Sequence, residues 1–103
     1  MPTRFEFDWD PAKAAANLTK HEVSFESAMT VFLDPLALSR PDENLGTAEE
    51  RWITMGLSRD TKLLLVVHTY VAFKDDHVYI RIISARKPTK REQRDYEQSP
   101  TQG

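Results

Sequence analysis

An arginine stands inside an apolar, β-branched run, Ile80-Arg81-Ile82-Ile83, and a second follows shortly after it at Arg86. A charged side chain in a run that reads as a buried strand is costly unless something pairs with it. Arg81 therefore has either a structural partner, such as Glu49, Glu50 or another carboxylate, or a negatively charged ligand. Arginine suits an anion with two oxygens, because its planar fork matches them and stays charged. Cleavage of a phosphodiester without a metal needs such cations, together with one group to take a proton and one to give it. The chain supplies Arg51, Arg81 and Arg86, with Lys13 and Lys20 on the first predicted helix and Lys87 and Lys90 at the last. His21, His68, His77 and Tyr96 are candidate proton carriers.

Each of these residues also has a bland explanation. His21 closes a helix, where a cation complements the dipole. His68 lies in a strand and reads as a packed or edge histidine, and His77 sits in a turn. Lys87, Lys90, Arg91 and Arg94 can be a solvated helix face. Trp9 and Trp52 read as core or rim packing before they read as base-stacking platforms. No His-x-x-x-His or His-x-Asp grouping suggests a metal, and no metal or cofactor is expected. With three glycines and no Gly-rich loop, a nucleotide-cofactor fold is disfavoured.

The elements that must position these side chains read in the order β-α-α-β-β-β-β-α. Arg4–Asp8 alternates as a strand. Asp10-Pro11 is a cap followed by proline at the first helical position, opening a helix to about Lys20. Ser24 caps a second helix through Phe32. Leu36–Ser39 is a short strand, and 41–47 a polar loop. Glu50–Leu57, Lys62–Phe73 and Val78–Ala85 are strands joined by turns at Ser58–Thr61 and Lys74–His77. Pro88 or Thr89 opens the last helix, which ends near Gln98. Short turns require antiparallel neighbours, and the N-terminal helices must cover a sheet face. The expected fold is an α+β sandwich, with a mainly antiparallel sheet, two N-terminal helices and one C-terminal helix. Alternation puts Tyr79, Arg81 and Ile83 on one face of the last strand, and Ile80, Ile82 and Ser84 on the other. It likewise sets Arg51, Ile53, Met55 and Leu57 opposite Trp52 and Thr54.

Composition bounds the class. A chain of 103 residues is one domain with a modest core, expected over 1–98 with a disordered tail at 99–103. The absence of cysteine excludes disulfides and thiolate metal sites. No apolar run is long enough for a bilayer and no secretory leader is visible, so a cytoplasmic location without membrane contact is expected. Net charge is −2, unusual for a nucleic-acid binder. The distribution is uneven, with 6 Lys/Arg against 11 Asp/Glu in residues 1–60 and 8 against 5 in residues 61–103. A basic C-terminal half can still hold an anion locally.

Three blocks in register carry a further signal. They are Phe7-Asp8-Trp9-Asp10-Pro11-x-Lys13, Asn17-x-x-Lys20-His21-x-Val23-Ser24-Phe25, and Ile80 to Tyr96. From about Phe5 to Tyr96 the chain resembles the BrnT family of bacterial type II toxins. The resemblance implies a RelE-like two-layer sandwich and a ribonuclease that arrests growth. It implies a BrnA-like ribbon-helix-helix antitoxin as partner, with operator DNA bound only through that antitoxin. It places Lys13, His21, Glu50, Arg51, Arg81 and Arg86 on motif positions: the arginines for phosphate contact, and His21 or Glu50 for proton transfer. Lys13, Lys20, Lys87 and Lys90 are the expected RNA contacts. The chain departs from the family pattern at Glu22, commonly glycine, and at Pro88 in Lys-Pro-Thr-Lys. A toxin-fold module with little catalysis, acting as corepressor with its antitoxin, is the alternative.

Overall fold

The computed structural model describes residues 3–42, 50–73 and 76–98. Residues 43–47 of the expected 41–47 loop, Glu49, Lys74 and Asp75 of the expected second turn, and the expected tail at 99–103 lie outside them. The chain runs β1 (Arg4–Asp8), α1 (Pro11–His21), α2 (Phe25–Met29), a short 3-10 helix (Thr30–Leu33), β2 (Leu38–Pro41), β3 (Trp52–Leu57), β4 (Leu63–His68), β5 (Val71–Ala72), β6 (His77–Arg86) and α3 (Lys90–Gln98). It is an α+β fold whose strands lie in the order β1-β6-β4-β3-β2, with β5 pairing β6 past the end of β4. All neighbours are antiparallel except β1, which runs parallel to β6.

Local chemistry explains the helix ends. The Asp10 carboxylate accepts from the Ala12 amide at 2.9 Å, and Pro11 fills the first turn. Ser24 caps α2 by accepting from the Ser27 amide at 3.0 Å. The second helix does not run to Phe32 as one α-helix. It tightens to a 3-10 turn at Thr30, whose hydroxyl donates back to the Ser27 carbonyl at 2.6 Å. The expected long strand Lys62–Phe73 also divides. β3 ends at the Trp52–His68 pair, so beyond it the chain follows β6 alone, with the Thr69 amide donating to Arg81 O at 2.9 Å.

Phe25, Ala28 and Val31 pack on Leu64, Val66, Val78, Ile80, Ile82 and Ala85, forming a core on the inner sheet face. The alternation expected for the last strand holds only to Ile82. A bulge shifts the register from His68–Ile82 to Val67–Ser84, leaving Ile83 as the extra residue. Ala85 therefore points inward with Ile82, and Ser84 and Arg86 outward with Arg81. β1 ends at Asp8, level with Arg81, so the later half of β6 has no strand on that edge. Asn17 of α1, only 7% exposed, takes the strand's place. Its Nδ2 donates to Ala85 O at 2.8 Å and its Oδ1 accepts from Ala85 N at 3.1 Å. The same Nδ2 reaches Val23 O at 2.9 Å.

α1 ends with Glu22 at φ 58°, its amide donating to Leu18 O at 2.9 Å. This left-handed cap is the position where glycine is favoured. Gly56 answers a different need. A Cβ there would lie 3.0 Å from Ala37 Cβ and 3.1 Å from Val31 Cγ1, tighter than ordinary contact, so a larger residue would require those neighbours to shift by a few tenths of an ångström.

Two stability measurements follow. Asn17→Ala strands buried backbone groups at Ala85 and should cost about 2–4 kcal/mol, read as a lowered denaturation midpoint; an unchanged midpoint would show that the clamp is dispensable. Glu22→Gly should relieve left-handed strain and raise the melting temperature by roughly 2–6 °C. A fall would mean that the Glu22 side chain contributes more than its backbone costs.

Candidate functional site

The outer sheet face carries the arginines. Arg51 directly precedes β3, and its carbonyl accepts from the Asp42 amide at 2.8 Å. Thr69 meets Arg81, whose amide donates to Thr69 Oγ1 at 3.2 Å, and Arg81 is level with Asp8 of β1. The row reads Thr69–Arg81–Asp8, and Arg51, next to Trp52 whose strand partner is His68, lies at the same end of the sheet. Arg81 is not buried: its side chain is 44% exposed, because Ile80 and Ile82 point inward and Arg81 outward. Its partner is Asp8 rather than Glu49 or Glu50, with Nη1 2.5 Å from Oδ2. Tyr79 donates its hydroxyl to the same Asp8 oxygen at 2.7 Å.

That cluster has a definite protonation state. The Tyr79 hydrogen bond, and after it the Arg81 charge, holds Asp8 below the usual carboxylate range against some desolvation. Asp8 correspondingly raises the Tyr79 phenol. At neutral pH the trio is carboxylate, phenol and guanidinium. Arg51 differs from Arg81. It is half-buried, and its buried Nε has no hydrogen-bond partner among the described residues. Glu50 beside it is exposed. Asp8 and Tyr79 were missed as site residues, although the Asp8 block was conspicuous; nothing local reveals a parallel pairing with a strand some seventy residues later.

Arg86 lies on the same face, but about 15 Å along β6. Glu92 grips it with two hydrogen bonds, Nη1–Oε1 2.9 Å and Nη2–Oε2 3.0 Å. Glu92 also accepts from the Thr89 amide at 2.7 Å, and Thr89 Oγ1 accepts from the Glu92 amide at 3.1 Å. This capping box starts α3 and anchors it to β6. The Arg86 contacts drive the Glu92 carboxyl down to about 2. Further along α3, Tyr96 donates to Asp34 Oδ2 at 2.8 Å. Desolvation, then that bond, pushes its hydroxyl up to about 12, so it holds its proton firmly and serves as a strut. No residue of α3 is buried.

The remaining predicted residues are spread out. Asn17 docks α1 against Ala85, so His21, one turn on, belongs to the Arg86 end of the sheet rather than to the Arg81 end. Lys13 and Lys20 are exposed at opposite ends of α1. Lys87 lines a small cleft with Glu22 and Ser24, and Lys90 is exposed at the start of α3. His77 pairs with Glu6 at 3.0 Å. Arg51 and Arg81 thus lie at one end of the sheet, and Arg86 and His21 toward the other.

A second feature occupies the inner face at the row's end of the sheet. A cleft of about 500 Å³ is lined by Phe5, Phe32, Trp52 and Tyr70, with Asp34, Ser39, Thr54 and His68. His68 is 1% exposed. Its Nδ1 faces Thr69 O at 2.8 Å, which requires a proton there. Nε2 then accepts from the Thr54 hydroxyl at 2.7 Å, and Thr54 Oγ1 accepts from Ser39 at 2.7 Å. Burial lowers the imidazole's pKa against the pull of the Thr69 carbonyl, keeping it neutral.

Arg51 and Arg81 give this end of the α+β sheet two cations. The family comparison says which kind of domain this is. Residues 9–92 match the family described as ribonuclease toxin, BrnT, of type II toxin-antitoxin system, and the chain belongs to that family. The crystal structure of the Brucella abortus ribonuclease toxin BrnT superposes with a TM-score of 0.57 at 20% identity, covering 85% of this chain and 100% of that one. That likeness concerns the fold. No curated protein matches the sequence. Among the described residues no helix is long and apolar enough to cross a membrane.

The Arg86–Glu92 tie has a pH signature. A carboxyl depressed in the folded state stabilises fully above its unfolded value near 4.5, and the gain fades as pH falls toward about 2. Glu92→Gln should remove that slope and lower stability at pH 7 by about 1–2 kcal/mol, discounted for a pair roughly a third exposed. Parallel wild-type and mutant profiles between pH 2 and 5 would contradict this.

Proposed function

We propose that this chain is a metal-independent endoribonuclease that cleaves RNA in the cytoplasm and arrests growth. The reading includes a RelE-like sandwich formed by a single domain over residues 1–98. It includes neutralisation by a BrnA-like ribbon-helix-helix antitoxin, through which alone operator DNA would be bound. Membership of a ribonuclease toxin family supports it. The observation that carries it is one end of the sheet, where Arg51 has a buried Nε without a partner among the described residues and Arg81 stands exposed beside an ionised carboxylate and a protonated phenol.

In this reading Arg51 and Arg81 hold the scissile phosphate as negative charge develops. Glu50, exposed next to Arg51, is the candidate to take the 2′-hydroxyl proton, and Tyr79 can give one. Lys13 lies in the first turn of α1, which begins just after Asp8, and is placed to follow the RNA backbone. His21, Arg86, Lys20, Lys87 and Lys90 lie toward the other end of the sheet and would contact flanking RNA. One observation favours the corepressor alternative: Asp8 and Glu92 already occupy Arg81 and Arg86.

RNA cleavage by Arg81→Ala decides between them. The expected loss is about a hundredfold to a thousandfold in rate. Arg81→Lys should recover only part of it, since the bidentate geometry is gone. Growth arrest should follow the same order, with folding checked by thermal melting. If folded Arg81→Ala cleaves at the wild-type rate, Arg81 is merely the partner of Asp8. A wild type that cuts no RNA but still represses with its antitoxin is the corepressor.

A further inference from the structure

The inner-face cleft lies at the same end of the sheet as Arg51 and Arg81. Trp52, on its wall, directly follows Arg51, and Tyr70 directly follows Thr69, so one strand end presents a cation outward and an aromatic ring inward. Trp52 and Tyr70 stand 6.2 Å apart, ring centre to ring centre, at 52°. Phe5 and Phe32 line the cleft with them, their rings 6.1 Å apart. Among the described residues no lysine or arginine lines the cleft, and the one formal charge there is the Asp34 carboxylate. Desolvation works to raise that carboxyl, but the Leu57 and Leu36 amides and the Tyr96 hydroxyl together hold it below its usual range, hence ionised. Such a cavity repels a phosphate. It suits a flat, neutral ring that carries N–H groups.

The polar chain along the wall has a matching direction. Because His68 must carry its proton on Nδ1, Thr54 donates to His68 and Ser39 donates to Thr54. Every proton of the chain points inward, toward the imidazole. Ser39, exposed on the cleft lining, has its hydroxyl proton committed to Thr54 and is left as an acceptor. The cleft thus offers acceptors at Ser39 and Asp34 between aromatic walls.

We propose that this cleft is a nucleobase subsite, taking one unstacked base of the RNA whose phosphate lies on Arg51 and Arg81. The phosphate stays on the outer face and the base turns over the end of the sheet into the aromatic cleft. An amino-bearing base satisfies the acceptors best. The inference deepens the ribonuclease reading and depends on RNA being the substrate.

Trp52 reports its own occupancy once Trp9→Phe removes the other tryptophan. The probes are 2′-O-methyl tetranucleotides, which cannot be cleaved through the 2′-oxygen, and an abasic tetramer of equal charge. The base-bearing tetramers should change Trp52 fluorescence saturably and bind roughly tenfold to a hundredfold more tightly than the abasic one. Tyr70→Ala, at a half-exposed position that should leave the fold intact, should remove most of that difference. Equal affinity for the abasic tetramer, or an unchanged preference in Tyr70→Ala, overturns the subsite. So does a purified antitoxin that changes Trp52 fluorescence while no tetramer does, which would assign the cleft to the protein partner. A wild type that cuts RNA without any base-dependent signal sinks the cleft alone. A base-dependent signal in a protein that cuts nothing sinks the ribonuclease reading and leaves the cleft standing.

Discussion

The Asn17 carboxamide holds together the two halves of this fold. β6 is the strand around which the sheet is built, yet its parallel neighbour β1 stops at Asp8, because Asp10-Pro11 must turn into α1. Past Arg81 one edge of β6 would be bare and buried beneath α1. A side-chain amide has the same donor and acceptor as a peptide unit, and Asn17 uses both on Ala85. The edge is thereby satisfied without another strand. Its second bond, to Val23 O, sets where the chain leaves α1. That exit requires Glu22 in the left-handed region. The helix end, the turn and the strand edge are one coupled solution, and Asn17 and Glu22 carry its two sides.

The bulge at Ile83 decides which face Arg86 takes. Strict alternation from Arg81 would send Arg86 to the inner face, into the core beside α1. The extra residue restores Arg86 to the outer face, where Glu92 meets it, and returns Ala85 inward to Asn17. Nothing in Ile82-Ile83-Ser84 announces this. There is no glycine, and every residue there suits a regular strand. Strand order among the last three elements, both N-terminal caps and the alternation of β3 were legible, because turns and periods are local. The bulge and the parallel β1–β6 register arise only when distant segments settle together.

The same distinction separates the site residues. Arg51 and Arg81 stood out because arginine beside β-branched residues is a local anomaly. Their neighbours did not. Asp8 reaches Arg81 across 73 positions, and Ser39, Thr54 and His68 come from three strands. Glu92 was readable in principle, since Thr89-x-x-Glu92 is a capping box. What no spacing could reveal is that the glutamate of that box also closes on Arg86.

This pairing of cations bears on how an acidic protein can act on RNA. A guanidinium already held by a carboxylate offers a phosphate only the difference between two anions. For a monoanionic phosphodiester that difference is small, and Asp8 competes well for Arg81. As a phosphodiester passes toward its pentacovalent state, charge accumulates on the oxygens facing the guanidinium, while Asp8 gains nothing. The exchange then favours the phosphate. Interactions that strengthen only at the transition state raise the rate without tightening ground-state binding. A net charge of −2 weakens general attraction to RNA but leaves that local exchange largely intact. In the proposed reading Arg51, whose Nε has no partner among the described residues, would supply ground-state contact and Arg81 the differential part.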